Sequence, residues 1–171
     1  MAAALSALAL AGCAGMEVNS YVERGVNMAD YGTFTWAQPD QRTGDPRLDN
    51  SPFFHERLQT DVERQLTRRG YDRIAADQAD LSVHYHASIN QQVNVNEVDR
   101  RAGYCEEDDC QPYAYDAGTL VIDLVDVRTK RVVWRGWAKG SVDGVIDNQD
   151  WMEQRLDEVV ARIMDKLPRR S

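Results

Sequence analysis

The chain has 171 residues, 43% of them hydrophobic and 28% charged, with three cysteines and a formal net charge of -8. That is length enough for one domain with a core, in the composition of a folded protein. The acidic balance argues against a nucleic-acid partner, which a basic excess would attract, and Arg68-Arg69 and Arg169-Arg170 are only pairs.

Residues 1–12 are uncharged, and Ser6 is their one strongly polar residue. The run is too short for a spanning helix, which needs roughly 20 apolar residues. It fits the apolar region of a secretory signal, about 7–15 residues. It closes on Leu10-Ala11-Gly12-Cys13, which resembles the signal of bacterial lipoproteins. The resemblance implies a signal peptide over 1–12 and a single mature domain over 13–171. The Cys13 thiol would take a diacylglyceryl group, cleavage would fall just before it, and the new amine would be acylated. No Lys or Arg precedes the run. The basic opening of such signals is therefore absent, and a true start upstream of Met1, or a trimmed one, is expected. One acyl chain holds only marginally, at about 0.8 kcal/mol per buried methylene; the three chains of this class hold permanently. Ala14 stands where an Asp would retain such a protein in the inner membrane, so it resembles the outer-membrane class. The expected place is the outer membrane, facing the periplasm, attached by a lipid anchor.

Weak alternation over 16–24 predicts a first strand, and 25–30 reads as a connection. Residues 31–36 predict a second strand with Phe34 and Trp36 on one face. Residues 38–50, with Pro39, Gly44, Pro46 and Asn50, read as a loop. A helix is predicted from Ser51, with Pro52 at its first position. Phe54, Leu58, Val62 and Leu66 form its buried stripe, and Gly70 stops it. Glu56, Arg57, Asp61, Glu63, Arg64 and Arg68 read as its solvated side.

Leu81, Val83, Tyr85, Ala87 and Ile89 alternate with Ser82, His84, His86, Ser88 and Asn90, which predicts a strand with one buried face. Val93 and Val95 extend it. Residues 99–116 read as an acidic, Tyr-bearing loop. Strands at 118–126 and 131–138, joined tightly through 127–130, predict an antiparallel hairpin. Asp147 or Asn148 caps a last helix, whose stripe runs from Met152 to Leu167 before Pro168 ends it. The order predicts an α+β fold, an antiparallel β-sheet with two α-helices packed on one face.

Six segments, taken in order, resemble the bacterial lipoprotein family called domain of unknown function 4136. They are Tyr31 to Trp36, Leu66 to Tyr71, Ala79 to Tyr85, Gly118 to Asp126, Val133 to Ala138, and Leu167-Pro168. The resemblance spans nearly the whole mature chain. No single motif is specific, but their order and spacing are. The acidic insert between Cys105 and Cys110 lies outside that pattern. The family has no established activity, so the resemblance implies an address and a fold class and transfers no catalytic residue.

An exported chain meets an oxidising compartment, where Cys105 and Cys110 would pair as a disulfide closing the acidic loop; free thiols or a metal site are the alternatives. Two thiols alone lack a second ligand pair at zinc spacing. His84 and His86 share a strand face and are the candidate metal ligands, with His55 the only other histidine. Without a third ligand at a readable spacing, a polar sheet face is the preferred reading. Glu106 to Asp109 is an acidic run without the spacing of a calcium loop. Asp123 and Asp126 are three apart on a strand and so face opposite sides; Asp126 is expected to order the turn after it. Trp134 and Trp137 also face opposite sides, one for the core and one as a candidate platform. No nucleophile elbow or phosphate-cradling loop is present in the sequence. The expectation is a non-enzymatic binding or envelope-architecture domain, without cofactor or nucleic-acid partner, which meets the membrane through its anchor and other envelope proteins through its surface. The alternative is a metal-dependent or small-ligand factor using His84, His86 and the acidic loop. A carrier would need an apolar cavity between helices and sheet.

Overall fold

The computed structural model of the chain describes residues 15–37, 43, 45–93 and 114–169. Six strands form one sheet: β1 (Glu17–Val22), β2 (Thr33–Trp36), β3 (Asp72–Arg73), β4 (Leu81–Val93), β5 (Ala114–Asp126) and β6 (Val132–Ser141). Their spatial order is β1-β6-β5-β4-β2-β3. The helices are α1 (Pro46–Asp49), α2 (Pro52–Arg68) and α3 (Gln149–Met164).

The sheet is mixed, which corrects the antiparallel expectation. β4, β5, β6 and β1 pair antiparallel, but β2 runs parallel to both β4 and β3. Chain order supplies the reason. α2 lies between β2 and β4, and a helical crossover returns the chain in the direction it left. Asp80 fixes the start of this pair. Its carboxylate accepts from Gly32 N at 2.8 Å, Thr33 N at 3.0 Å and Thr33 Oγ1 at 2.9 Å.

Two further boundaries differ from expectation. α1 occupies part of the stretch read as a loop; Pro46 starts it, and the Asp45 carboxylate caps it by accepting from Arg47 N at 2.9 Å. β5 begins at Ala114, inside the stretch read as loop to 116. The caps of the long helices are as predicted: Ser51 accepts from Phe54 N, and Asn148 from Trp151 N.

Phe54, Leu58, Val62 and Leu66 of α2 and Met152, Leu156, Val160 and Ile163 of α3 share one core with Phe34, Leu81, Val83, Ile122, Leu124 and Trp134 of the sheet. Trp134 is fully buried. Its ring lies over Gly136, where a Cβ would stand 2.4 Å from Trp134 Cη2 and 2.6 Å from Ile163 Cγ2. Gly136 is therefore a packing requirement of the core.

Asp61, expected on the solvated side of α2, is fully buried. Arg57 and Arg64, on the same helix, pair with it at 3.0 and 2.9 Å and also reach Glu153 and Asp157 on α3. A charge periodicity read on one helix cannot reveal the second helix that covers it. Asp126 takes its expected role. One oxygen accepts from Arg128 N at 2.9 Å and Thr129 N at 2.7 Å, and the Tyr31 hydroxyl donates to the other at 3.1 Å.

Candidate binding face

Residues opposite each other in an antiparallel pair point to the same face, so the register defines what the open side of the sheet carries. One row runs across four strands: His84, Asp123, Arg135, Tyr21. The next is His86, Val121, Trp137, Asn19, and the third is Ser88, Thr119, Lys139, Glu17. Among the described residues, both long helices pack on the opposite side, against the apolar row of Val83, Leu124 and Trp134.

The first row is bound together electrostatically. The Arg135 guanidinium makes a two-point contact with Asp123, at 2.6 Å from Nε and 2.7 Å from an Nη. That pairing holds the guanidinium above its usual pKa, against the opposing effect of desolvation. Asp123 is buried within the row while Arg135 is exposed. At the end of the row the Tyr21 hydroxyl donates to Glu23, and this bond raises its pKa. Tyr21 is one of the exposed large hydrophobics. Trp137 is half-buried on the same face, so it is the platform member of the tryptophan pair and Trp134 the core member.

His84 is half-buried, and its Nε2 lies 3.0 Å from Ser82 Oγ. Burial pushes its pKa down, with the charge of Asp123 opposing and His86 assisting. His86 is exposed two residues on. His55 sits on the other side of the sheet, where its Nδ1 lies 2.6 Å from the Tyr85 hydroxyl. The three histidines are thus not brought together. Among the described residues, no three His, Cys, Asp or Glu side chains form a group able to hold a metal. Cys13, Cys105, Cys110 and the acidic run 106–109 lie outside the described residues. No described helix is long and apolar enough to cross a membrane.

Sequence reasoning singled out His84, His86 and Trp137 but not Arg135 or Tyr21. The alternation around Trp134 and Trp137 places Arg135 on the platform side. Its pairing with Asp123 depends on a register that only the folded sheet defines.

The sequence matches the family described as Domain of unknown function (DUF4136) over residues 18–169. The chain belongs to this family. It is the family that the ordered segments resembled, and the DUF4136 match takes in every described strand from β2 onward and both long helices. No protein of curated function matches the sequence. Among solved structures, a single-substitution variant of the PelC dodecamer from Paraburkholderia phytofirmans is similar, with 16% identity and a TM-score of 0.52, over 92% of this chain and 100% of that one. A PDZ domain protein from Parabacteroides distasonis has 14% identity and a TM-score of 0.54, over 89% of this chain and 36% of that one. At such identities the likeness is one of fold.

Proposed function

We propose that this DUF4136 domain is a non-catalytic architectural protein of the bacterial envelope, anchored to the outer membrane through Cys13 and facing the periplasm. Its open sheet face would be the binding surface. The observation that carries the reading is that face itself: four strands wide, with a half-buried Trp137, an exposed Tyr21 and a fixed Asp123–Arg135 pair, and with both long helices on the other side. Aromatic groups beside oriented charges suit a protein contact. The occupant we assign to it is a second copy of this chain. PelC, whose fold this chain shares along its length, is a dodecamer. A face holding both an exposed guanidinium and carboxylates such as Glu17 and Glu23 has the mixed charge that a self-complementary contact needs. In the oxidising compartment Cys105 and Cys110 would form a disulfide.

A photo-crosslinking residue placed at Trp137 or Tyr21 in cells should give an adduct of twice the chain's mass, identified as this chain on both sides. The same residue at Asp165, beyond α3, should give none. No self-adduct from the open face, or equal adducts from both sides, would overturn the assignment. The anchor is tested separately: Cys13→Ser should leave the protein outside the membrane fraction, and its retention there would refute lipid attachment.

A further inference from the structure

The core is not closed equally along its length. Leu58, Val62, Leu81, Val83, Ile122 and Leu124 are 0% exposed, whereas Met16, Ile89, Leu120 and Leu156 keep 6–9%. The leak has a cause in the sequence. On the helix side of the sheet, Gly118 and Gly140 are direct partners, and Ala87 and Ala138 occupy the next row. Beside Ile89, Leu120 and Val18, which share these rows, the floor there carries little side-chain volume. α2 and α3 both begin near this end, contributing Phe54 and Met152, and the connection after β6 roofs it with Val142, Val145 and Ile146. Between floor and roof lies a cavity of about 80 Å³, apolar on nearly every side.

One charged group reaches it from the helix side. Arg155 lies so close to the floor that a Cβ on Gly140 would stand 3.1 Å from its Nη2. That nitrogen donates to Ser141 O at 3.0 Å, and Nη1 donates to Glu158 at 3.0 Å. A guanidinium has five N–H donors, so donors remain for an incoming anion. Met16 also lines the cavity, which places this opening at the end of the domain where the N-terminal segment enters. On the same end Trp151 is 55% exposed and packs over Gly144 of the roof connection. Exposed tryptophan is a common residue at a membrane–water interface.

We propose that this cavity takes the first carbons of a straight alkyl chain, those next to an anionic head, with the head meeting Arg155. A cavity of about 150 Å³ can hold a benzene ring; half that volume suits the few carbons nearest the head, with the rest of a longer chain leaving through the mouth. The chain has two possible sources, a free fatty acid or a bilayer lipid. The alkyl preference follows from the cavity alone. The bilayer source rests on the lipid-anchor reading above, which would hold the opening at the membrane.

The test uses the full chain purified without detergent and cis-parinaric acid, a fluorescent fatty acid. The expected result is saturable one-to-one binding, displaced by saturated fatty acids with affinity rising about fourfold per methylene among the shortest members before levelling. Ala87→Leu, which fills the floor, should weaken binding at least tenfold without lowering the melting temperature. Should that variant fail to fold, Val145→Phe fills the same space from the roof. Arg155→Gln should weaken fatty acids several-fold and leave the matching alcohols unchanged. Lipid retained after incubation with phosphatidylglycerol vesicles and their removal by flotation, read by native mass spectrometry, assigns the bilayer as source; retention of fatty acid alone assigns the free amphiphile. No saturable binding, or equal binding by the filled variants, overturns the proposal.

Discussion

Gly136→Ala and Gly140→Ala make the same chemical change four residues apart on β6, yet the structure assigns them opposite consequences. At Gly136 the added methyl would sit 2.4 and 2.6 Å from two carbons of the Trp134 ring and 2.6 Å from Ile163. Carbon pairs prefer about 3.5–4.0 Å, so the ring or α3 must move by roughly 1 Å. Trp134 and Ile163 are both fully buried, and neither can swing into solvent. Overpacking of this kind costs about 1–3 kcal/mol, and the position belongs at the upper end. Removing a strand glycine returns about 0.5–1 kcal/mol, which leaves a net loss of about 2 kcal/mol. For a domain of this size that is a fall of about 4–8 °C in Tm. At Gly140 the nearest atom is the far end of the Arg155 side chain at 3.1 Å, which can shift, so the loss should stay within about 0.5 kcal/mol. Urea unfolding followed by tryptophan fluorescence reads both variants at unchanged m-value. Equal losses, or a Gly136→Ala loss under about 0.5 kcal/mol, would refute the packing argument.

The charged groups supply the remaining predictions. Asp61→Ala should destabilise by about 2–3 kcal/mol, since it leaves Arg57 and Arg64 facing each other at the α2–α3 contact; an effect below about 0.5 kcal/mol in urea melts would mean the network is ornamental. The Asp126 carboxyl is held below its usual pKa, first by the Thr129 amide and also by the Tyr31 hydroxyl, against desolvation. Its contribution is therefore full above about 3.9, the unfolded value, and is lost as the pH falls from there through the lower folded value. Asp126→Asn should cost about 1.5–3 kcal/mol at pH 7 and flatten that acid limb; an unchanged limb counts against the carboxylate. Burial depresses His84, so the unfolded chain takes up the proton first and the fold loses stability as pH drops below about 6.5. An NMR titration should place the His84 midpoint below that of a free imidazole, and a midpoint at or above it would contradict the burial argument.

What could be read without coordinates was what a single segment decides. The stripes of α2 and α3, their Ser51 and Asn148 caps, the alternation of β4 and the Asp126 turn all depend on neighbours within a few residues. Parallel pairing of β2 escaped because the pattern of a short strand does not state its direction; the helix between β2 and β4 was the available clue. Burial of Asp61 and the pairing of Asp123 with Arg135 depend on which elements meet, and no periodicity encodes that. The cavity lay hidden for the same reason. Gly118 and Gly140 are ordinary strand glycines until the register sets them side by side.

β1 has one partner, and that partner is the last strand: Glu17 pairs with Lys139 and Val22 with Trp134. The first strand of the domain thus cannot close its ladder until nearly the whole chain is available, the kind of distant pairing that slows folding. One edge of the sheet is therefore a joint between the two ends of the domain. Until β6 arrives β1 has no ladder to join, and once it docks the same zipper fastens the first residues of the domain to its last strand.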